Sequence, residues 1–205
     1  RLLASTTSKL YMPIGGDPAY LAAAKSLLFR TVGGAWGEIE PAAAERVQMI
    51  HTPGGTGAVR LAVDLVSRLR PGAEIWVGEP TWPNHTQIIE SSRITARRHD
   101  WITDDARSLN TGALFDAIAA AKGGDAMILH GACHNPTGID PTPDQWIEIA
   151  QQIAHRGILP ILDFAYQGFG EGLIEDAASL RAFLATGCEV LVASSSSKNF
   201  ALYNE

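Results

Sequence analysis

The sequence predicts an α/β fold: a three-layer domain with a mostly parallel sheet flanked by helices. Three observations carry that prediction. Short apolar runs rich in branched residues alternate with longer stretches of helical apolar spacing, the pattern of strands joined by crossover helices. The runs are of strand length and lack polar alternation, as in strands covered on both faces. Polar clusters follow the runs, and the carboxyl ends of strands are where open α/β sheets collect ligands.

Taken in order, helical spacing first occurs over 19–29 and again over 58–69. The second stretch closes on Ser67-Arg68-Leu69-Arg70-Pro71-Gly72, a basic last turn followed by two helix breakers. A strand is expected at 74–77, and Glu79-Pro80-Thr81-Trp82-Pro83-Asn84-His85 then reads as a rigid loop between prolines. Helix 114–121 leads to strand 126–129. Thr142-Pro143-Asp144-Gln145 supplies an N-cap and a first-position proline for helix 145–154, and His155-Arg156-Gly157 stops it. Strand 158–162 is ended by Asp163, and helix 177–184 precedes strand 190–193. With no repeat, low-complexity tract or linker in view, one continuous domain over 1–205 is the simplest organisation.

Composition narrows the function classes. The 205 residues are 46% hydrophobic and 19% charged, enough for a well-buried globular domain. No run approaches the roughly 20 apolar residues of a membrane helix, and the first residues lack a secretory apolar core, so a cytoplasmic location is the expectation. Opening on Arg1 rather than Met, the chain reads as lacking its native start. A net charge of −6, with no basic cluster beyond Arg97-Arg98, argues against nucleic acid as a partner. Cys133 and Cys188 belong to no metal-type spacing and read as packing residues.

The chemistry-bearing segments follow the expected strands. Lys198, in Ser194-Ser195-Ser196-Ser197-Lys198-Asn199-Phe200, reads as a Schiff-base lysine for pyridoxal phosphate. Such a group needs a carboxylate for its pyridinium nitrogen and a donor for its phenolate oxygen; Asp163 and Tyr166 are of the right type. An aspartate ending an apolar strand is costly to bury without a positive partner, although a turn or N-cap role is the alternative. Gly54-Gly55-Thr56-Gly57 before a helix suits a phosphate through backbone N–H groups and the Thr56 hydroxyl, or is simply a glycine-rich turn. Ser195 and Ser197 offer further hydroxyls to a phosphate.

Trp82 is a stacking platform for a flat ring or a loop residue tucked against the core; His85 bonds near that ring or is a satisfied polar residue. His130, Cys133 and His134 suggest zinc, but no second paired cluster exists, so no metal is expected. Asn135, before Pro136, reads instead as a side-chain donor on a turn.

Six segments together resemble the aspartate and aromatic-amino-acid aminotransferase family, the class I, fold type I enzymes that use pyridoxal 5'-phosphate. They are Tyr11-Met12-Pro13-Ile14-Gly15-Gly16, Gly54-Gly55-Thr56-Gly57-Ala58, Trp82-Pro83-Asn84-His85, His134-Asn135-Pro136-Thr137-Gly138, Asp163-Phe164-Ala165-Tyr166-Gln167-Gly168-Phe169 and Ser197-Lys198-Asn199-Phe200 with Leu202-Tyr203. The resemblance implies that Lys198 anchors the cofactor and shuttles the substrate proton, and that Asp163 pairs with the pyridinium. It implies that Tyr166 and Asn135 donate to the ring oxygen, that Trp82 stacks, and that Trp82 and Asn135 lie near a substrate carboxylate. It implies phosphate contacts from Gly55, Thr56 and Ser195, with Gly54 and Ser197 beside them as further cofactor-binding candidates. Tyr11 matches a tyrosine that reaches a partner subunit's cofactor phosphate, so a homodimer is implied.

The expected activity is transfer of an amino group between an L-amino acid, aspartate or aromatic, and a 2-oxoacid such as 2-oxoglutarate. Other chemistry on the same fold, decarboxylation or elimination, and a cofactor-binding fragment without turnover are the alternatives. Measured against the family, 1–205 reads as a partial large cofactor-binding domain without the N-terminal arm, the small domain or the arginines that grip phosphate and substrate. Ala201 stands where the family commonly has glycine.

Overall fold

The computed structural model describes residues 11–35 and 38–203. The chain divides into two compact units, Arg1–Thr52 and Pro53–Glu205.

In the first unit, α1 (Pro18–Leu28) starts where Asp17 accepts the Tyr20 N–H at 2.9 Å and Pro18 takes the first helical position. A short α2 (Pro41–Ala44) follows, and the Lys25 amine donates to the Ala44 carbonyl at 2.6 Å, tying the two helices. Tyr20 and His51 stack with ring centres 4.4 Å apart. Gly16, at φ +105°, lies so close to His51 that a Cβ there would sit 2.1 Å from the histidine's own Cβ.

The second unit opens with α3 (Gly54–Leu69), followed by β1 (Ile75–Glu79), α4 (Pro83–Ser91), β2 (Ala96–Asp100), α5 (Thr111–Ala120) and β3 (Ala126–His130). It continues with α6 (Pro143–Arg156), β4 (Leu159–Phe164), a 3-10 turn (Glu175–Ala177), α7 (Ala178–Thr186), β5 (Leu191–Ser194) and α8 (Ser197–Phe200). All five strands are parallel, in the order β2-β1-β3-β4-β5. The predicted parallel sheet with crossover helices is therefore the one formed.

Strand period two divides the core. Ile75, Val77, Ala126, Ile128, Leu159, Ile161 and Ala193 meet Val59, Val63 and Val66 of α3 and Ile88 and Ile89 of α4 on one face. Met127, Leu129, Leu162 and Phe164 are buried as well, and α5, α6 and α7 bury Leu114, Ile118, Trp146, Ile149, Ile153, Leu180 and Phe183. The central strands β3 and β4 are buried at every position. Gly131, just past β3, is a close approach: a Cβ there would fall 2.4 Å from the Phe164 ring.

Two local expectations are corrected, and one strand stands where none was expected. The stretch after β1 is not all loop: Pro83 opens α4, with Trp82 at its N-cap. Asp163 does not end β4 but lies within it, one residue before Phe164. Ala96-Arg97-Arg98-His99-Asp100, too polar to read as a strand, pairs along β1 as the sheet edge, with only His99 fully turned inward. No helix among the described residues is long and apolar enough to cross a membrane.

Candidate functional site

The sheet runs from β1 outward to β2 and then returns across β1 to β3, so its strand order reverses between β1 and β3. A crevice opens at the carboxyl ends of strands at such a reversal. The residues past β1, the loop past β3 and the end of β4 all lie on that edge. In register, His130 of β3 is opposite Asp163 of β4, which is opposite Ala193 of β5.

Asp163 is 4% exposed, and its Oδ2 lies 3.0 Å from Nε2 of the fully buried His85. An ionised carboxylate only accepts, so Nε2 carries the proton and donates. The other nitrogen, Nδ1, is 2.9 Å from the hydroxyl of Thr81, four residues earlier and just ahead of the helix. His85 is thus clamped between two oxygens and holds the carboxylate in place. Sequence reasoning left its role open; the Thr81-to-His85 spacing of four across Pro83 was the available signal.

Behind the pair lies a bank of rings. His85 and His130 are 4.9 Å apart, His130 and His134 4.5 Å, and His134 stacks on Trp101 at 4.5 Å and 9°. Burial drives the His130 pKa well below its ordinary value, with His85 and His134 adding to the shift. Burial likewise lowers His134 to about 4, assisted by His85 and His99. Both are neutral at neutral pH. The His134 Nδ1 lies 2.9 Å from the Thr137 hydroxyl.

The loop after β3 turns through the left-handed region at Cys133, φ 53°. Asp140 fixes that turn: its carboxylate accepts from the Cys133 N–H at 2.6 Å and the His134 N–H at 2.8 Å. Asn135, half-buried, is the next residue along. The Cys133 thiol faces the Tyr166 carbonyl at 3.8 Å, and burial foremost, with Asp176 and Asp140, pushes its pKa up to about 11. Among the described residues, the group close enough to hold a metal ion is His85, His130 and Asp163, within 4.8 Å of one another. Both His85 nitrogens already face protein oxygens, so an ion there would have to displace one of those bonds.

Past the carboxyl end of β5, the Ser195 and Ser197 hydroxyls are 2.9 Å apart, and the Ser197 N–H donates to Ser195 Oγ at 3.1 Å. They adjoin the start of α3: a Cβ on Gly55 would lie 3.1 Å from Ser195 Cβ, and one on Gly54 3.7 Å from Ser197 Oγ. Gly54 itself has φ +63°. No side chain caps α3 and its first turn carries no acid, so the positive end of its dipole faces the two hydroxyls. Thr56 lies on that first turn, exposed.

Lys198, on α8, is exposed; its amine lies 5.8 Å from the Tyr166 ring centre, 5.1 Å from that of Tyr203 and 3.4 Å from the Tyr203 hydroxyl. Trp82 is half-buried and meets His85 edge to face at 5.3 Å. Tyr11 lies in the first unit and is fully exposed.

A buried carboxylate, a paired-hydroxyl cradle at a helix N-terminus and an amine beside a phenol form a donor set of definite chemistry. It fits an aromatic cation that carries a phosphate and an aldehyde, the makeup of pyridoxal phosphate.

The profile of the family "Aminotransferase class I and II" matches residues 1–205. The aspartate aminotransferase of Salmonella typhi is 42% identical over 204 residues, 100% of this chain and 50% of its own. The aromatic-amino-acid aminotransferase of Paracoccus denitrificans is 38% identical over 205 residues, again 100% of this chain and 50% of the relative. Among solved structures, an aromatic-amino-acid aminotransferase from Burkholderia pseudomallei, covalently bound to pyridoxal phosphate, superposes with a TM-score of 0.91 at 34% identity, covering 100% of this chain and 49% of that one. This chain belongs to the class I and II aminotransferase family. It spans about half the length of the curated relatives it matches.

Proposed function

We propose that this chain is the cofactor-binding part of a pyridoxal 5'-phosphate-dependent aminotransferase, moving an amino group between an L-amino acid, aspartate or aromatic, and a 2-oxoacid such as 2-oxoglutarate. The observation that carries the reading is the buried Asp163 carboxylate, held by His85 at the carboxyl edge of the sheet. A carboxylate so placed is matched by a cation, and a protonated pyridine is one. When bound, pyridoxal phosphate supplies an electron sink that makes the substrate's α-proton acidic.

The residues divide the remaining work. Lys198 would hold the cofactor's aldehyde carbon through its amine, and the same amine, when free, would serve as the base for the proton on the substrate α-carbon. Asp163 keeps the ring nitrogen protonated, and His85 keeps Asp163 in place. Tyr166 and Asn135 donate to the ring oxygen, while Trp82 covers the ring face and, with Asn135, borders the substrate carboxylate. Gly54, Gly55, Thr56, Ser195 and Ser197 hold the phosphate.

The chain then corresponds to part of the large cofactor-binding domain. The working form is a homodimer in which Tyr11 serves the partner's phosphate, located in the cytoplasm.

The test is titration of pyridoxal phosphate into wild type and Lys198→Ala, with borohydride reduction and peptide mapping. A reducible link at Lys198 in wild type alone is the expected result; equal incorporation in both refutes the assignment. Aspartate or phenylalanine with 2-oxoglutarate should yield glutamate. Carbon dioxide or free ammonia in its place would refute transamination.

A further inference from the structure

Lys198 sits on a helix of four residues, Ser197–Phe200, with no buried side chain to fix it. What ties that turn to a distant part of the fold is its neighbour: Asn199 Nδ2 donates to the Gln167 carbonyl at 2.9 Å, across 32 residues. That carbonyl belongs to the residue after Tyr166. The bond therefore joins the segment bearing the amine to the segment bearing the phenol.

The receiving side is rigid for its own reasons. The Gln167 side chain is buried, and its Nε2 donates to the Leu173 carbonyl at 2.7 Å. The following loop folds onto the buried Asp176 carboxylate: Oδ2 accepts from Gly168 at 2.7 Å and Gly170 at 3.0 Å, Oδ1 from Glu171 at 2.8 Å and Gly172 at 3.4 Å. Glycine is needed there, since a Cβ on Gly170 would fall 2.7 Å from Asp176 Oδ1. Just beyond, the Ser179 hydroxyl donates to the Gly131 carbonyl at 2.8 Å, fastening this region to the end of β3.

We propose that Asn199 is a positioning residue that sets the Lys198 amine against Tyr166, using as its anchor the loop closed by Asp176. The inference rests on the assignment of Lys198 as the anchoring amine. A lysine has four rotatable side-chain bonds, so a turn free to rock leaves the amine little time at any one place. Fixing its backbone to the Tyr166 segment confines the search.

Two ligands separate positioning from general support. Pyridoxal phosphate requires the amine for borohydride-trapped capture; pyridoxamine phosphate has no aldehyde and binds without it. Removing one neutral hydrogen bond in Asn199→Ala should slow covalent capture roughly three- to tenfold, while pyridoxamine phosphate affinity, read by tryptophan fluorescence, stays within about twofold. Asn199→Gln keeps an amide donor and should recover part of the rate. Asp176→Asn should slow capture in the same selective way.

Asn199 is exposed, so its replacement leaves the core intact. Capture by Asn199→Ala at the wild-type rate, or parallel loss of both ligands, would overturn the proposal. Equal capture by Lys198→Ala and wild type would instead strike the lysine assignment itself, and this inference with it.

Discussion

Asp163 and Ala201 show opposite ways in which a single residue bears on this fold. Asp163 is buried and acidic, with His85 holding one oxygen at 3.0 Å. Asparagine there keeps the shape and still accepts the His85 proton, but it cannot balance a bound cation. Truncating one member of a buried charge pair costs about 2–5 kcal/mol, so Asp163→Asn should weaken pyridoxal phosphate binding by roughly a hundredfold while its urea midpoint barely moves. An unchanged dissociation constant would remove Asp163 from the site. Ala201 has φ 53° and ψ 30°, a left-handed conformation that an L side chain resists. A glycine, which the resemblance leads one to expect at this position, would adopt that conformation without strain. Ala201→Gly should stabilise the chain by about 1 kcal/mol, visible as a higher denaturation midpoint.

At the scale of elements, legibility followed how many cues agreed. For α6, Thr142 accepts the Gln145 N–H while Gln145 accepts the Thr142 N–H, Pro143 takes the first position, and Gly157 closes it at φ 67°. Every one of those residues is readable in the sequence, and its buried stripe of Trp146, Ile149, Ala150 and Ile153 repeats at helical spacing. Thr142→Ala should cost about 1 kcal/mol, measured by urea denaturation. The helix α4 carries the same first-position proline but was hidden, because Trp82 gives no side-chain cap and the prolines on either side of it suggest a loop. Strand β2 was hidden for a different reason: an edge strand needs only one buried residue, here His99, so its two arginines erase the apolar signal. In the candidate site, Lys198, Asp163 and the serines could be singled out from the sequence because their residue types imply a chemistry. His85 and Asn199 act through hydrogen bonds to partners 78 and 32 residues away, and Asp140 and Asp176 through backbone N–H groups four to eight residues off that only the folded loops bring round.

Over the whole molecule, the buried imidazoles make stability depend on pH. His99, His130 and His134 enter from β2, β3 and the loop after β3, and burial is the leading cause of each lowered pKa. The charged groups nearest them do not reverse that effect: Asp100 partly offsets it at His99, Asp140 spends its carboxylate on backbone N–H groups, and Asp163 faces His85. For each histidine the folded chain holds its proton less tightly than the unfolded chain does. Between the two pKa values the unfolded state therefore binds more protons, so stability falls as the pH falls. The contribution is complete above about pH 6.5 and is lost progressively as the pH drops toward 4, the value for His134. That shift corresponds to something on the order of 3 kcal/mol from His134 alone. Urea midpoints should hold level from pH 8 to 7 and then decline steadily to pH 5. His134→Gln, which has no proton to gain, should start lower through loss of the Trp101 stacking but decline less steeply. Parallel declines in wild type and His134→Gln would show that the acid sensitivity lies elsewhere.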